Sequence, residues 1–399
     1  MRLLLEKGPG DEAKPERRGR GMRLLLEKGI GDEVDLEEEG IWHLAENGIN
    51  QIIIMRNSAW NDLVALIEGK RLGYQPVGFI IDSPWIPGWY GISKVDYYAS
   101  DDLWFRSNLK AVNSYPDVWF MPGFWSEYGM CTEPSAFGSR MVFLENNLPH
   151  AEKILSAIEE IDRLPTPNVK TDGLLPFMIS RLRNNQVNIV KNDHQIRFAV
   201  ARGPLNIASF LMGTTELMTA IGMDPGRTHK LLGKISDFIC DWLLWQKECF
   251  PSIDGVLILD DIIGFVGEDE FKEFVLPYFK RIFSCTGSKV RFLHNDADDL
   301  ITAKYLTEMN ANMFNFSFNH SIGEIRSLAG PEVVLVGNIP PRDVLADGKP
   351  EEVEAAVRHS IREIGDHNRI IWSAGGGMPP GVSDENISAF INSVKKFSS

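Results

Sequence analysis

Acidic residues and one histidine stand at or just after the ends of several strongly apolar runs in this 399-residue sequence. They are Asp82, Glu127, Asp260, Asp261, His294 and Asp296. Carboxylate oxygens and an imidazole nitrogen are donors that hold divalent metals such as zinc, and the same groups act as general acids and bases. If folding brings these residues together, they form a metal site or an acid–base site.

The spacing within two of these groups limits what they can do. Side chains two residues apart on an extended segment share one face, so His294 and Asp296 can ligate one ion or form an ordinary hydrogen-bonded pair. In the Asp260–Asp261 doublet, one carboxylate can cap the following turn while the other points toward a site. Asp82, taken alone, is also compatible with a structural role, either as the N-cap of a helix or as a hydrogen-bond partner of the loop backbone.

Eight short apolar runs from residue 75 onward alternate with helix-length segments, which is typical of βα units around a parallel sheet. Their near-continuous apolar character favours strands buried on both faces, as in a (β/α)8 barrel. The runs are Pro76–Asp82, Asp117–Met121, Ile196–Val200, Gly255–Asp260, Lys289–His294, Met313–Ser317, Val333–Gly337 and Arg369–Ser373. The active site of such a barrel lies at the carboxyl ends of its strands. We therefore predict that His294, Asp260, Asp261 and Asp296 share one cavity.

Aromatic, amide and glycine residues near the same ends are candidates for substrate binding. They are Trp85, Trp89, Phe124, Trp125, Phe210, Asn315, Asn338 and Gly376, together with Asp82. The aromatic side chains can line an apolar pocket or simply cover the end of the barrel. The glycine run at residues 375–377 can let a ligand approach the backbone closely.

The charge balance and the length of the apolar runs exclude several classes of partner. Lys and Arg number 41 against 55 Asp and Glu, which gives a formal net charge of −14. Nucleic acid and anionic membranes are bound by cationic surfaces, so this balance argues against both. No apolar run is long enough to span a bilayer, and no secretory leader is evident. Four cysteines without a CxxC motif predict reduced thiols in a cytoplasmic protein.

The amino-terminal region contains the octapeptide MRLLLEKG twice, at residues 1–8 and 22–29. Two copies are too few for a repeat architecture, so we interpret them as a duplicated start. We predict an extension without a catalytic role over residues 1–40, a helical segment over residues 41–74 and the barrel over residues 75–399.

Several motifs in the second half of the chain resemble those of the uroporphyrinogen decarboxylase superfamily. They include VVLVGNIPP at Val333–Pro341, WSAGGGMPP at Trp372–Pro380, Gly203-Pro204 followed by Phe210–Gly213, DGVLILDD and EFVLPYFKRI. The superfamily contains decarboxylases and also methyltransferases that move methyl groups to or from corrinoids and thiols. The resemblance implies a single (β/α)8 barrel, in agreement with the strand pattern.

The decarboxylases of the superfamily resemble one another in features that this chain retains only in part. Their first loop is rich in arginine, whereas SPWIPGWYG at this position contains none. Asp117 matches the second-strand Asp, but Phe210 stands at the Tyr position and Gly376 at the His position. A substrate with eight carboxylates needs cationic partners, so decarboxylation of uroporphyrinogen itself is not expected.

The zinc methyltransferases of the superfamily resemble one another in an H-x-C motif after the fifth strand and a Cys in the last glycine loop. The corresponding residues here are His294-Asn295-Asp296 and Gly376, so the histidine is present and both thiolates are absent. The resemblance then implies a harder nitrogen–oxygen site, built from His294, Asp296 and one of Asp260, Asp261 or Glu127. Such a site suits zinc and favours an oxygen-bearing substrate.

The sequence thus predicts a methyltransferase that passes a methyl group from a small methoxylated substrate to a corrinoid on a separate protein. His294, Asp260, Asp261 and Asp296 are expected to surround the metal, and Asp117 and Glu127 to orient groups or donate protons. One alternative is a cofactor-free decarboxylase of a small acid, with Asp117 polarising the substrate. Another is a barrel that binds a ligand or a corrinoid partner without turnover. A homodimer is compatible with each of these.

Overall fold

Parallel strands and helices alternate along the chain from residue 77 to its carboxyl end. The structure is a computed structural model in which residues 59–398 are described. The strands are β1 (Val77–Ile80), β2 (Val118–Met121), β3 (Met141–Val142), β4 (His150–Ala151), β5 (Phe198–Arg202), β6 (Gly255–Leu259), β7 (Val290–Asn295), β8 (Met313–Phe316), β9 (Val334–Ile339) and β10 (Ile370–Ala374).

Helices connect the strands and cover the outside of the sheet. They are α1 (described over 59–67), α2 (Ile86–Tyr90), α3 (Lys94–Ala99), α4 (Asp101–Ser114), α5 (Thr132–Ala136), α6 (Leu175–Lys191), α7 (Pro204–Met212), α8 (Thr214–Met223), α9 (Pro225–Cys249), α10 (Glu268–Phe274), α11 (Leu276–Cys285), α12 (Ile301–Tyr305), α13 (Ile322–Ala329), α14 (Pro350–Glu363) and α15 (Asp384–Phe397). Short 3-10 helices at Ile158–Arg163 and Ile262–Phe265 and a π-helical turn at Pro341–Ala346 complete the described elements.

The main sheet has the strand order of a (β/α)8 barrel. Hydrogen bonds join eight parallel strands in the order β2-β1-β10-β9-β8-β7-β6-β5, and the β3–β4 hairpin lies outside this sheet. Successive strands of the barrel are therefore neighbours, with β2 and β5 on the two sides of a seam. The predicted fold class is confirmed, and the carboxyl ends of all eight strands face the same end of the barrel.

Apolar burial explains why the strands read as continuous apolar runs in the sequence. Every position of β1, β5, β6 and β10 is buried, as a parallel barrel with side chains inside and helices outside requires. Helix α1 packs against the amino ends of the strands. There the Trp60 ring contacts the Phe198 ring edge-on at 5.4 Å, and Arg369 donates to the carbonyl of Leu66 at 3.3 Å.

Most of the predicted strand ends differ from the observed ones by one or two residues, and β5 and β9 each extend two residues further at the carboxyl end than predicted. Strand β5 begins and ends two residues later than predicted, because its last residue, Arg202, is a buried charge that does not continue the apolar run. Strand β9 likewise continues through Asn338, which is also buried. The predicted extension over residues 1–40 and the first part of the helical segment lie outside the described residues. No helix within residues 59–398 combines the length and apolar character needed to cross a membrane.

Candidate functional site

The imidazole of His294 is held in one tautomer by Asn315, a residue of the neighbouring strand β8. The Asn315 amide nitrogen donates to the carbonyls of Val336 at 2.8 Å and Ala374 at 3.0 Å. Its oxygen is thereby left to accept, and it lies 2.7 Å from His294 Nδ1. Nδ1 must therefore carry the proton, so the neutral ring presents a bare Nε2 on its other side.

Two carboxylates face that bare nitrogen. His294 Nε2 lies 3.7 Å from Asp261 Oδ1 and 4.0 Å from Asp296 Oδ2. The three ligand atoms lie within 4.8 Å of one another. In a tetrahedral zinc site, ligand atoms about 2.0–2.2 Å from the ion lie roughly 3.4 Å apart, so small inward movements would complete such a site. We call Asp261, His294 and Asp296 the triad.

Burial and mutual charge shape the proton affinity of the triad. Burial raises the pKa of Asp261, and the neighbouring Asp296 carboxylate raises it further, against the opposing effect of His294. Burial alone would lower the pKa of His294, but the charges of Asp261 and Asp296 outweigh it and the pKa is raised. A divalent cation at this position would take the place of the protons that these groups otherwise share.

The last glycine loop lies directly against the triad. Gly376 has a φ of +145°, and a Cβ built on it would lie 2.9 Å from Asp296 Oδ2. The backbone approaches the carboxylate so closely that a side chain here would force Asp296 to move. The position that the resemblance matches to a metal-binding Cys is thus adjacent to the triad, although this chain carries no ligand there.

The structure does not bring Asp260 into the triad, although it adjoins Asp261 in the chain. The Asp260 side chain is fully buried and accepts backbone N–H groups of Leu205 at 2.9 Å and Ile262 at 3.2 Å. Burial raises its pKa to about 8. Its carboxylate therefore ties helix α7 to the end of β6, whereas the next carboxylate faces His294.

Asp117 lies at the wrong end of the barrel for the catalytic role that the sequence resemblance implied. It precedes the first residue of β2, is exposed, and pairs with Lys395 of α15 at 2.8 Å. The carboxyl ends of the strands, where the triad lies, are on the opposite side of the sheet. The structure thus corrects the assignment of Asp117 to the active site.

Glu127 and Asp82 both lie near the mouth of the barrel but in different environments. Glu127 is buried and accepts the backbone N–H groups of Ser83, at 3.1 Å, and of Gly129, so it braces two loops. Asp82 Oδ1 is buried and has no hydrogen-bond partner within residues 59–398. Burial, followed by the charge of Glu127, raises the pKa of Asp82 to about 7. Asp82 can therefore hold or release a proton near neutral pH.

Of the four aromatic residues predicted to line a pocket after β1 and β2, three pack against helices and their flanking loops, and one lies beside the charged group at the mouth. The Trp85 indole donates to the Val382 carbonyl at 3.1 Å and that of Trp89 to Asp384 at 2.7 Å, so both hold helices together. Phe124 packs on helix α4. Trp125 instead lies under the guanidinium of Arg202, with its buried indole nitrogen unpartnered within the described chain.

Two further predicted binding residues lie away from the triad's carboxylates. Phe210 is partly exposed in the last turn of α7. Asn338, at the end of β9, donates to the His320 carbonyl. Their part in substrate binding stays a prediction.

Arg202 and Glu133 at the mouth were missed by sequence reasoning. Arg202 is the last residue of β5 and is 5% exposed. Its backbone N–H donates to Glu133 Oε1 at 3.0 Å, and Glu133 is itself 2% exposed. The signal was available, because a strand boundary placed two residues later would have put Arg202 at a strand end. The mouth of the barrel therefore does contain a cation.

Comparison with known proteins places the chain in a family. It belongs to the uroporphyrinogen decarboxylase family, whose profile, described as Uroporphyrinogen decarboxylase (URO-D), matches residues 91–397. The chain is 27% identical over 275 residues to a uroporphyrinogen decarboxylase of Chloroherpeton thalassium, which covers 66% of this chain and 76% of that protein. It is 24% identical over 282 residues to one of Pseudomonas syringae pv. syringae, with 67% and 76% covered.

The fold also resembles a solved structure of a protein that is named for another activity. A methyltransferase from Methanosarcina mazei superposes with a TM-score of 0.71 and 16% sequence identity, covering 84% of this chain and 98% of that one. At this identity the likeness is one of fold. Together with the family match, it confirms the superfamily inferred from the motifs.

Substitution of each member of the Asp260–Asp261 doublet separates structural support from metal binding. We expect Asp260→Ala to lower the free energy of unfolding by about 1–3 kcal/mol, because two backbone N–H groups lose their buried acceptor. We expect Asp261→Ala to unfold at nearly the wild-type denaturant concentration but to bind zinc more than about tenfold more weakly. Denaturant titration and zinc calorimetry measure the two effects. The reverse pattern would contradict this assignment.

Zinc affinity should fall as the pH is lowered. A proton on His294 Nε2 competes with the ion, and the raised pKa of His294 moves that competition to higher pH than for an ordinary histidine. Calorimetry from about pH 8 to about pH 6, in buffers of different ionisation enthalpy, should show weakening affinity and proton release on binding. An affinity unchanged over this range would argue against ligation by His294.

Proposed function

We propose that the chain is a metal-assisted methyltransferase, which moves a methyl group from a small oxygen-bearing substrate to a corrinoid held by a partner protein. The observation that carries this proposal is the triad, in which a histidine of fixed tautomer turns its bare Nε2 toward two carboxylates at the mouth of the barrel. Family membership supports the proposal only as far as the superfamily, which contains both methyltransferases and decarboxylases.

The donor set of the triad fits a divalent metal. It offers one imidazole nitrogen and two carboxylates, which are ligand types that zinc accepts, and three protein ligands leave a fourth position for water or substrate, as in catalytic zinc sites. The hydrogen bond from Nδ1 to Asn315 is the kind of outer contact that orients a ligating histidine. None of the four cysteines belongs to the triad, so the site favours an oxygen donor in the substrate over a thiol.

The residues at the mouth can divide the work of breaking a methyl–oxygen bond. A divalent ion held by the triad would supply Lewis-acid polarisation of the substrate oxygen. The corrinoid of the partner would supply the electron pair that accepts the methyl group. The substrate oxygen then needs a proton, and Asp82 can provide it because burial raises the pKa of its carboxyl to about 7.

Decarboxylation of a small acid is the second candidate, because the curated relatives described above carry the name of a decarboxylase. Two observations weigh against it. The first loop has no arginine, and Asp117, the residue expected to polarise the substrate, lies at the amino ends of the strands. A decarboxylase would work without metal. A barrel that binds a ligand without turnover would show neither methyl transfer nor decarboxylation.

The variants His294→Ala and Asp117→Asn should behave in opposite ways. His294→Ala should abolish methyl transfer and zinc binding together, because it removes the only nitrogen donor of the triad. Asp117→Asn should leave both within about twofold of wild type, because the residue is exposed and its ion pair is weak. The assay supplies methoxylated aromatic compounds and a reduced corrinoid, and follows the corrinoid absorbance. Transfer that survives both chelator and His294→Ala would refute the proposal.

A further inference from the structure

The buried guanidinium of Arg202 lacks a counter-charge in direct contact. Arg202 is 5% exposed. Its Nη1 is buried without a hydrogen-bond partner, and no ion pair joins its guanidinium to a carboxylate of the described residues. A buried charge is costly unless it is paired and hydrogen-bonded. The side chain is therefore prepared for a partner that residues 59–398 do not supply.

Other unpartnered polar atoms lie around this guanidinium. The ring centroid of Trp125 lies 5.3 Å from the Arg202 guanidinium carbon, and the indole nitrogen is a buried donor without an acceptor. Glu133 contacts the Arg202 backbone through one oxygen and leaves the other buried and unpartnered. Asp82 feels the charge of Arg202 and also has an unpartnered oxygen. Native proteins leave few such atoms, and a group of them at a barrel mouth indicates a ligand.

The register of the sheet fixes how far this group lies from the triad. Arg202 pairs with Leu259 of β6, and Leu259 pairs with His294 of β7. Neighbouring strands are about 4.8 Å apart, so the backbones at Arg202 and His294 are separated by roughly 10 Å along the wall of the barrel. A ligand that contacts both groups must therefore be a small molecule, about the size of one substituted aromatic ring.

We propose that Arg202 and Trp125 bind the carboxylate of a small organic acid whose methylated oxygen lies at the triad. This inference rests on the proposed function and names its substrate class. The guanidinium and the indole supply N–H donors to the carboxylate, and an arginine can bind it in bidentate fashion. The ligand would supply the negative charge that Arg202 lacks.

The acidic neighbours of Arg202 limit which acids can bind. Asp82 and Glu133 lie close enough to Arg202 to feel its charge, and each repels an anion when it is ionised. Burial raises the pKa of Glu133, and its second oxygen is buried without a partner, so a protonated Glu133 can donate to the bound anion. A compact acid with one carboxylate fits this balance, whereas a polyanion would face uncompensated repulsion.

Calorimetry on the zinc-loaded full-length protein can test this site with matched probes. The acids are acetate, benzoate and 4-methoxybenzoate, and 4-methoxybenzyl alcohol is the neutral analogue. We expect 4-methoxybenzoate to bind wild type about 10- to 100-fold more tightly than the alcohol, because only the acid makes charge-assisted bonds. Arg202→Gln should remove this preference while leaving the alcohol affinity within about twofold, and Arg202→Lys should retain part of it.

Arg197→Gln is the matched control, because Arg197 directly precedes β5 at the opposite end of the barrel and should leave all affinities unchanged. Retained alcohol binding shows that a variant is folded. Equal binding of acid and alcohol by wild type, an acid affinity that is unchanged in Arg202→Gln, or failure of all three acids to bind at millimolar concentration would overturn the inference.

Methyl transfer is measured separately. Arg202-dependent acid binding without transfer refutes the proposed reaction alone, and transfer from 4-methoxybenzoate that is unchanged in Arg202→Gln refutes this site alone.

Discussion

The hydrogen bond between His294 Nδ1 and the Asn315 oxygen is the contact on which the arrangement of the candidate site depends. Asn315 cannot turn its amide around, because its nitrogen is committed to the carbonyls of Val336 and Ala374 on the next two strands. Three strands of the barrel therefore determine which nitrogen of one imidazole carries the proton. A rotated amide would leave two carbonyls unsatisfied in the core, at a cost of about 1–3 kcal/mol each.

The acids of the barrel mouth serve different purposes according to what they face. Asp260 and Glu127 accept backbone N–H groups and hold the loops in place. Asp261 and Asp296 face an imidazole, and they repel each other unless a proton or a cation lies between them. The adjacent residues Asp260 and Asp261 thus have different roles, because consecutive side chains at the end of a strand point in different directions. Asp260 supports the backbone, and Asp261 faces the imidazole.

The sequence was sufficient to predict the barrel and the end of it at which the triad lies, because parallel strands buried on both faces leave a continuous apolar signal. It also predicted His294 and Asp296 as candidate site residues, because they end or follow such a run. It could not distinguish Asp260 from Asp261, since two adjacent carboxylates differ only in their three-dimensional partners. Arg202 was missed because a buried charge inside a strand interrupts the apolar pattern. Asp117 was misplaced because a motif match does not show which end of the strand a residue occupies.

X-ray absorption at the zinc edge of the zinc-loaded protein identifies directly the atoms that would hold the metal. The triad predicts a first shell of nitrogen and oxygen at about 2.0–2.2 Å, with the outer scattering of a single imidazole and no sulfur. A sulfur shell at about 2.3 Å, or the scattering of several imidazoles, would contradict the account.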